Sequence, residues 1–157
     1  MSFKEKNITV SMVSFTLVLL FFLIAVQRMI HNDSFTSTNV FRLWGIVIVL
    51  AIVVTVFATI LTHIVSAIIS AIATVIETGE KDADVEIEDL QDERDKLIDL
   101  KGNNMAYTVS SVGVFLAMLS YVLGQDPLVM FTLLIFFGLV AQIIGDISRF
   151  YLYRRGV

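Results

Sequence analysis

A small set of polar side chains interrupts or borders the long apolar segments of this 157-residue sequence, and these residues are candidates for chemistry. Removing such groups from water is costly, so those found within lipid-crossing helices are often functional. The set comprises His63, Lys101, Asn103, Asn104, Gln142, Asp146 and Arg149. Titration of His63 and Asp146 would suit an ion, proton or small-ligand site. The simpler interpretation, which we favour, is a solvated group of interfacial residues with Asp146 paired to Arg149 at i,i+3.

The only long charged segment, residues 82–101, is the second candidate. Its candidate partner-binding residues are Asp92, Glu93, Arg94 and Asp95. Acidic and apolar residues alternate there at helical spacing, which is typical of a helix with one solvated face. The segment lacks the order of oxygen ligands and the central glycine of an EF-hand. We therefore expect no metal site there, and either a surface for a partner or a face that packs only within the chain.

The composition indicates which solvent surrounds the chain. Hydrophobic residues make up 57% of it and charged residues 17%, and a water-soluble fold of that composition would expose large apolar patches. The absence of cysteine excludes disulfides and thiolate chemistry, and the net charge of −4 offers no basic face for nucleic acid. No nucleophile–base triad, phosphate-binding glycine loop or HExxH motif is present. We therefore expect a non-enzymatic protein without a cofactor, with the lipid bilayer as its first partner.

Four apolar segments are each long enough to cross a bilayer, which requires about 20 residues. The predicted crossings are about 8–29, 42–63, 103–123 and 127–148, all within one membrane domain, 1–157. The second crossing is followed by an extension to 76 and then by an acidic turn and helix, 77–101. No proline separates Val85 from Leu123, so one long helix is expected there. The sequence predicts an all-α, four-helix transmembrane bundle in which helices 2 and 3 extend into a cytoplasmic helical hairpin. There a seam of Ile87, Leu90, Leu97 and Lys101, with Ile98 beside it, would pack on Ile64–Ile76.

The basic residues predict the orientation. With four crossings, one side of the membrane carries Lys4, Lys6, Lys81, Arg94, Lys96, Lys101, Arg149, Arg154 and Arg155, and the other carries Arg28 and Arg42. Because Lys and Arg concentrate on the cytoplasmic side, we expect a multi-pass plasma-membrane protein with both termini in the cytoplasm.

Two motifs carry a resemblance to a known family. Asp92-Glu93-Arg94-Asp95 with Ile98 forms DERD-x-x-I, and residues 151–156 form Y-x-Y-R-R-G. The chain resembles an uncharacterised family of small bacterial and archaeal four-helix integral membrane proteins that carry both motifs. The resemblance covers mainly residues 92–156 and implies no catalytic residues. The resemblance does imply a partner class, small helix-turn-helix regulators, because members of this family are often encoded beside such regulators.

Two functions therefore follow from the sequence as hypotheses. The first is a membrane protein that senses or binds a cytoplasmic protein through the acidic central hairpin. The second is a small transporter or channel that uses the polar cluster near the cytoplasmic interface. The second requires a homo-oligomer, because four helices enclose little conducting space.

Overall fold

The computed structural model describes the backbone of residues 3–76 and 84–155. Its side chains are described except at 3, 4, 6, 58, 59, 61–63, 65–67, 69–76 and 84–92. This part of the chain is entirely helical apart from two turns. The helices are α1 (Phe3–His31), α2 (Ser37–Ile76), α3 (Asp84–Val122) and α4 (Pro127–Arg155). α3 runs through Gly102 without a break, as the absence of proline predicted.

Each helix contains a segment that is long and apolar enough to cross a membrane. These segments are Asn7–His31, Ser37–Phe57, Glu93–Val122 and Pro127–Arg155. Large apolar side chains such as Leu17, Phe57 and Phe115 are exposed on the outside of the helices. Water would oppose this exposure and lipid would not. The prediction of an all-helical protein with four candidate membrane-spanning helices is confirmed.

Local sequence ends the helices at the two described turns. Asp33, with φ of 54°, lies in the first turn, and Gly124, with φ of 86°, lies in the second. Glycine adopts this left-handed conformation without steric cost, and Gln125 N then donates to Ser120 O across it. Asp126 Oδ1 accepts a 2.7 Å hydrogen bond from Leu128 N, so it caps α4 just before Pro127 fixes the first helical residue.

α4 is the helix around which the others are arranged. It packs against α3 along much of its length, against α1, and against α2 near Trp44, whose Nε1 donates to Phe131 O at 3.3 Å. α1 also packs on α2. The shared core of α1, α2 and α4 contains Phe15, Val18, Phe22, Leu43, Val47 and Leu139. α3 thus joins the bundle through α4.

The structure does not support the predicted hairpin between helices 2 and 3. Among the described residues these two helices share no contact, and Ile64 and Ile68 of the α2 extension are exposed. On α3, Ile98 is buried whereas Leu97 is exposed, so the buried seam differs from the expected one. The buried side of α3 faces α4, because small residues there allow the two backbones to approach closely.

Those small residues lie at three levels of the α3–α4 contact. A Cβ added at Gly113 would overlap Phe137, and one added at Gly102 would overlap Arg149. Between them, a Cβ at Gly145 would lie 3.1 Å from Ala106 Cβ. These pairings show that α3 and α4 are antiparallel, since increasing residue numbers on α3 pair with decreasing residue numbers on α4.

Candidate functional site

Three helices bring polar side chains to one depth of the bundle. α4 places Gln142, Asp146 and Arg149 on one face, because residues three and four apart lie on the same side of a helix. Ser11 of α1 and Asn103 of α3 reach this face. At 1.5 Å per residue, Ser11, Asn103 and Asp146 each lie about 30 Å from the far end of their helix, at the expected boundary of the hydrocarbon layer. We call Ser11, Asp99, Asn103, Gln142, Asp146 and Arg149 the boundary cluster.

Asp146 is the centre of the boundary cluster and is only 2% exposed. Ser11 Oγ donates to its Oδ2 at 2.7 Å, and Arg149 Nη1 donates to its Oδ1 at 2.5 Å. Gln142 Nε2 lies 3.5 Å from the same Oδ1. Both carboxylate oxygens are therefore satisfied by side chains from two helices, and a buried carboxylate requires such compensation.

Arg149 extends the boundary cluster from α4 to α3. Its Nη2 donates to Asn103 Oδ1 at 2.6 Å, and its Nε lies 3.4 Å from Asp99 Oδ1. Nε itself is buried and has no hydrogen-bond partner among the described residues, so Asp99 acts on it through charge. Gly102 provides the space for this side chain, since a Cβ there would overlap it. One guanidinium thus links the two helices at the membrane boundary.

A second polar contact lies one helical turn further along α4. Tyr153 Oη donates to Asp95 Oδ1 at 2.7 Å, and Asp95 is only 6% exposed. Because Tyr153 follows Arg149 at i+4, both side chains point to α3. Asp95, Asp99 and Asn103 of α3 are therefore held against the C-terminal part of α4, and among the described residues α3 does not contact α2.

The structure brings together four of the seven residues in the polar cluster that the sequence predicted: Asn103, Gln142, Asp146 and Arg149. Lys101 and Asn104 are exposed, and in the described part of the chain neither side chain bonds to these four. The side chain of His63 lies outside the described residues. The expected pairing of Asp146 with Arg149 is observed, but Asp146 is buried where the simpler interpretation expected it to be solvated.

The predicted partner-binding residues divide into two groups. Glu93 and Arg94 are exposed, whereas Asp95 is buried beneath Tyr153. Asp92 lies outside the described side chains. Asp95 therefore has a structural role within the chain, and the accessible part of this motif is smaller than the sequence suggested.

Sequence reasoning missed Ser11, Asp99 and Tyr153 as members of these contacts. Ser11 could have been found from its distance to the far end of α1, because this distance matches that of Asp146 from the far end of α4. The signal for Asp99 was its position four residues before Asn103, which places both on one face of α3. Neither signal identifies the neighbouring helix, because an apolar helix offers several faces for packing.

Removing the Tyr153 hydroxyl tests this attachment of α3. We expect Tyr153→Phe to destabilise the N-terminal part of α3 by about 1–2 kcal/mol, because the buried Asp95 carboxylate loses a hydrogen-bond donor. Amide hydrogen exchange of residues 93–100 in detergent micelles should accelerate by about tenfold or more, while exchange around Gly113 should not change. Tyr107→Phe, at an exposed position of α3, is the matched control. Equal exchange in both variants would show that the Tyr153–Asp95 hydrogen bond does not hold α3.

Chemically, the boundary cluster is a set of donors and acceptors that joins three helices. The carboxylate oxygens of Asp146 are occupied by Ser11, Gln142 and Arg149, which suits a structural joint better than an open ligand site. Comparison with known proteins adds no further assignment: no family model matches the chain, and no curated protein or solved structure shows significant similarity to it. The resemblance based on residues 92–98 and 151–156 therefore stays a prediction.

Proposed function

We propose that this chain is a non-enzymatic integral membrane protein that binds a partner protein through the exposed side of the N-terminal part of α3. One observation carries this proposal. Leu97 and Leu100 are exposed to 56% and 59%. Leu97 lies about 37 Å from Val122, where α3 ends on the opposite side of the bundle, and so lies beyond a hydrocarbon layer of about 30 Å. An exposed apolar pair beyond the hydrocarbon layer is typical of an interaction site.

Charged residues surround this apolar pair. Glu93 and Leu97 are four residues apart, and Leu100 follows three residues later, so they form one exposed stripe on α3. Arg94 and Lys96 are exposed beside it. We call Glu93, Leu97 and Leu100, together with the flanking Arg94, the α3 stripe. An apolar centre with a charged rim is the usual anatomy of a protein-binding surface.

The α3 stripe has a fixed position relative to the bundle. Asp95 and Ile98, on the other side of the same helical turns, are buried, and Tyr153 and Arg149 of α4 contact this side of α3. A preordered surface loses less conformational entropy on binding than a disordered segment. This support replaces the hairpin with α2 that the sequence suggested.

The proposal places the α3 stripe and both termini in the cytoplasm of a plasma-membrane protein. The support is the distribution of Lys and Arg, nine on this side against two on the other, by count of the residues named above. The resemblance to the DERD-x-x-I family adds a candidate partner class, small helix-turn-helix regulators. A second copy of the chain is the competing partner.

Site-specific crosslinking tests this function. A photoreactive side chain at position 93 should form a discrete adduct with a cytoplasmic protein in intact membranes, and the same group at the apolar position 115 should not. With the photoreactive group moved to position 96, adding Glu93→Gln and Arg94→Gln should reduce the adduct at least fivefold, since these residues form the charged rim. Mass spectrometry identifies the adduct.

Controls separate partner binding from folding and from orientation. Arg28→Gln with Arg42→Gln removes two exposed charges at the opposite end of the bundle and should leave the adduct unchanged. Because the chain has no cysteine, single cysteines introduced at positions 93 and 126 report the side of the membrane with an impermeant thiol reagent. Adducts only between copies of this chain would replace the proposal with self-association.

The transporter or channel hypothesis remains the alternative proposal. It depends on Asp146, whose oxygens already accept hydrogen bonds from Ser11 and Arg149. This arrangement favours a structural role. Flux through liposomes that differs between the wild type and Asp146→Asn, at equal protein incorporation, would favour transport instead.

A further inference from the structure

We propose that Arg154 and Arg155, with the rings of Phe150 and Tyr151 beneath them, form a binding surface for the phosphate groups of anionic phospholipids. The leaflet concerned is the one on the side of the chain termini. This surface is distinct from the α3 stripe, and it does not depend on the proposed partner function.

The first support is the geometry of the two arginines. The Arg154 guanidinium carbon lies 5.0 Å from the centre of the Phe150 ring, and that of Arg155 lies 4.6 Å from the Tyr151 ring. Both pairs are four residues apart, so each arginine leans back along the helix by one turn, as side chains in helices do. Stacking occupies the face of a guanidinium and leaves its in-plane N–H groups for a planar or tetrahedral oxyanion.

The second support is depth. α4 runs from the far end of the bundle towards the side of the termini, so leaning back along the helix means leaning towards the bilayer. Phe150 and Tyr151 lie about 35 Å along the axis from Pro127, which is just beyond a hydrocarbon layer of about 30 Å and within the headgroup region. The guanidinium groups of Arg154 and Arg155 are held at this level by their contacts with the rings. Phosphate groups of lipids occupy the same level.

The third support is the orientation of this face. Asp146, Arg149 and Tyr153 direct their polar atoms towards α1 and α3. Tyr151, Arg154 and Arg155 are exposed, and so is Ile147, one turn before Tyr151. An apolar residue, an aromatic residue and two cations therefore succeed one another along the exposed side of α4, which is the order found at a lipid–water boundary.

Charge decides between lipid binding and a purely local role. Cations in the last turn also interact favourably with the helix dipole, but that interaction does not require contact with aromatic rings at headgroup depth. The nearby carboxylates of Asp95 and Asp99 are engaged with Tyr153 and Arg149 on the α3 side. These contacts lie on the α3 side of α4, whereas Arg154 and Arg155 are on its exposed side.

Lipid retention tests the proposal on the full-length chain. The protein is placed in nanodiscs of equal parts phosphatidylcholine and phosphatidylglycerol, and the lipids that remain bound are counted by native mass spectrometry. The wild type should retain phosphatidylglycerol in clear excess. Each arginine near an anionic surface contributes about fivefold, so Arg154→Gln with Arg155→Gln should reduce this preference by about 25-fold at most and at least fivefold.

Matched variants define the outcomes. Arg154→Lys with Arg155→Lys keeps the charge and should retain only part of the preference, because lysine lacks the planar fork of donors. Arg28→Gln with Arg42→Gln removes the same charge at the opposite end and should not change it. Equal preference in wild type and Arg154→Gln/Arg155→Gln, or equal loss in both glutamine pairs, would overturn the proposal. In phosphatidylcholine nanodiscs, inorganic phosphate should not raise the thermal midpoint, and a rise would assign the surface to the free anion.

Discussion

Asp146→Leu is expected to destabilise the bundle by about 3 kcal/mol or more, the largest effect of any single substitution we predict. The leucine leaves Arg149, whose side chain is only 16% exposed, without its closest counter-charge, and it leaves the Ser11 hydroxyl without its acceptor. Breaking a buried ion pair costs more than the pair contributes, because an uncompensated charge remains. Thermal unfolding in micelles, followed by size-exclusion chromatography, measures the change.

The double variant Asp146→Leu with Arg149→Met distinguishes the loss of the Asp146–Arg149 ion pair from a general change in packing. If the cost of Asp146→Leu comes from the loss of the closest counter-charge of the guanidinium, the double variant should be more stable than Asp146→Leu alone, because no charge remains buried. Asp146→Asn should be milder than leucine, since an amide oxygen still accepts from Ser11. Additive losses in the double variant would mean that Asp146 and Arg149 do not interact energetically.

Gly113→Leu should separate α3 from α4 and destabilise the protein by about 3 kcal/mol. Even the Cβ atom of a larger residue would overlap the Phe137 side chain, and neither helix can relieve this without moving its backbone. Overpacking of this kind costs about 1–3 kcal/mol for a few added methylenes. The loss is greater where close backbone contact is itself the source of helix association, as it is between helices in lipid. The midpoint of thermal unfolding in micelles should fall clearly.

Gly45→Leu is the matched control for this steric argument. Nothing lies within 4 Å of a Cβ at Gly45, so the same substitution meets open space on α2. Replacing glycine inside a helix gains about 0.5–1 kcal/mol in conformational entropy, and the control should therefore be neutral or slightly stabilising. Similar losses at positions 45 and 113 would indicate a general intolerance of leucine rather than the α3–α4 contact.

Asp146→Leu and Gly113→Leu test two parts of one arrangement. Among the described residues, α3 is attached to the bundle only through α4. Gly113 and Phe137 set the distance between these helices within the apolar layer. Arg149 and Asp146 set their alignment at its boundary. The α3 stripe is positioned by both contacts.

The amino-acid sequence by itself determined that the protein is helical, that four of its segments are suited to lipid, and where the second turn lies. Length, apolar composition and the run Gly124-Gln125-Asp126-Pro127 act locally, so no neighbour is needed to interpret them. The sequence also indicated that Asp146 pairs with Arg149, because both lie on one helix with fixed spacing.

Only the tertiary structure decided which helices meet. Apolar helices in lipid present similar surfaces on all sides, and no difference in hydrophobicity selects one partner over another. The choice depended on whether a glycine such as Gly102 or Gly113 coincides with a large side chain on the facing helix. It also depended on whether Ser11 and Asp95, distant in sequence from their partners on α4, could complete a hydrogen bond. Pairwise fit between distant segments, unlike helix formation, has no local signature, and this is why the contacts of Asp95 and Asp99 with α4 could not be predicted from the sequence.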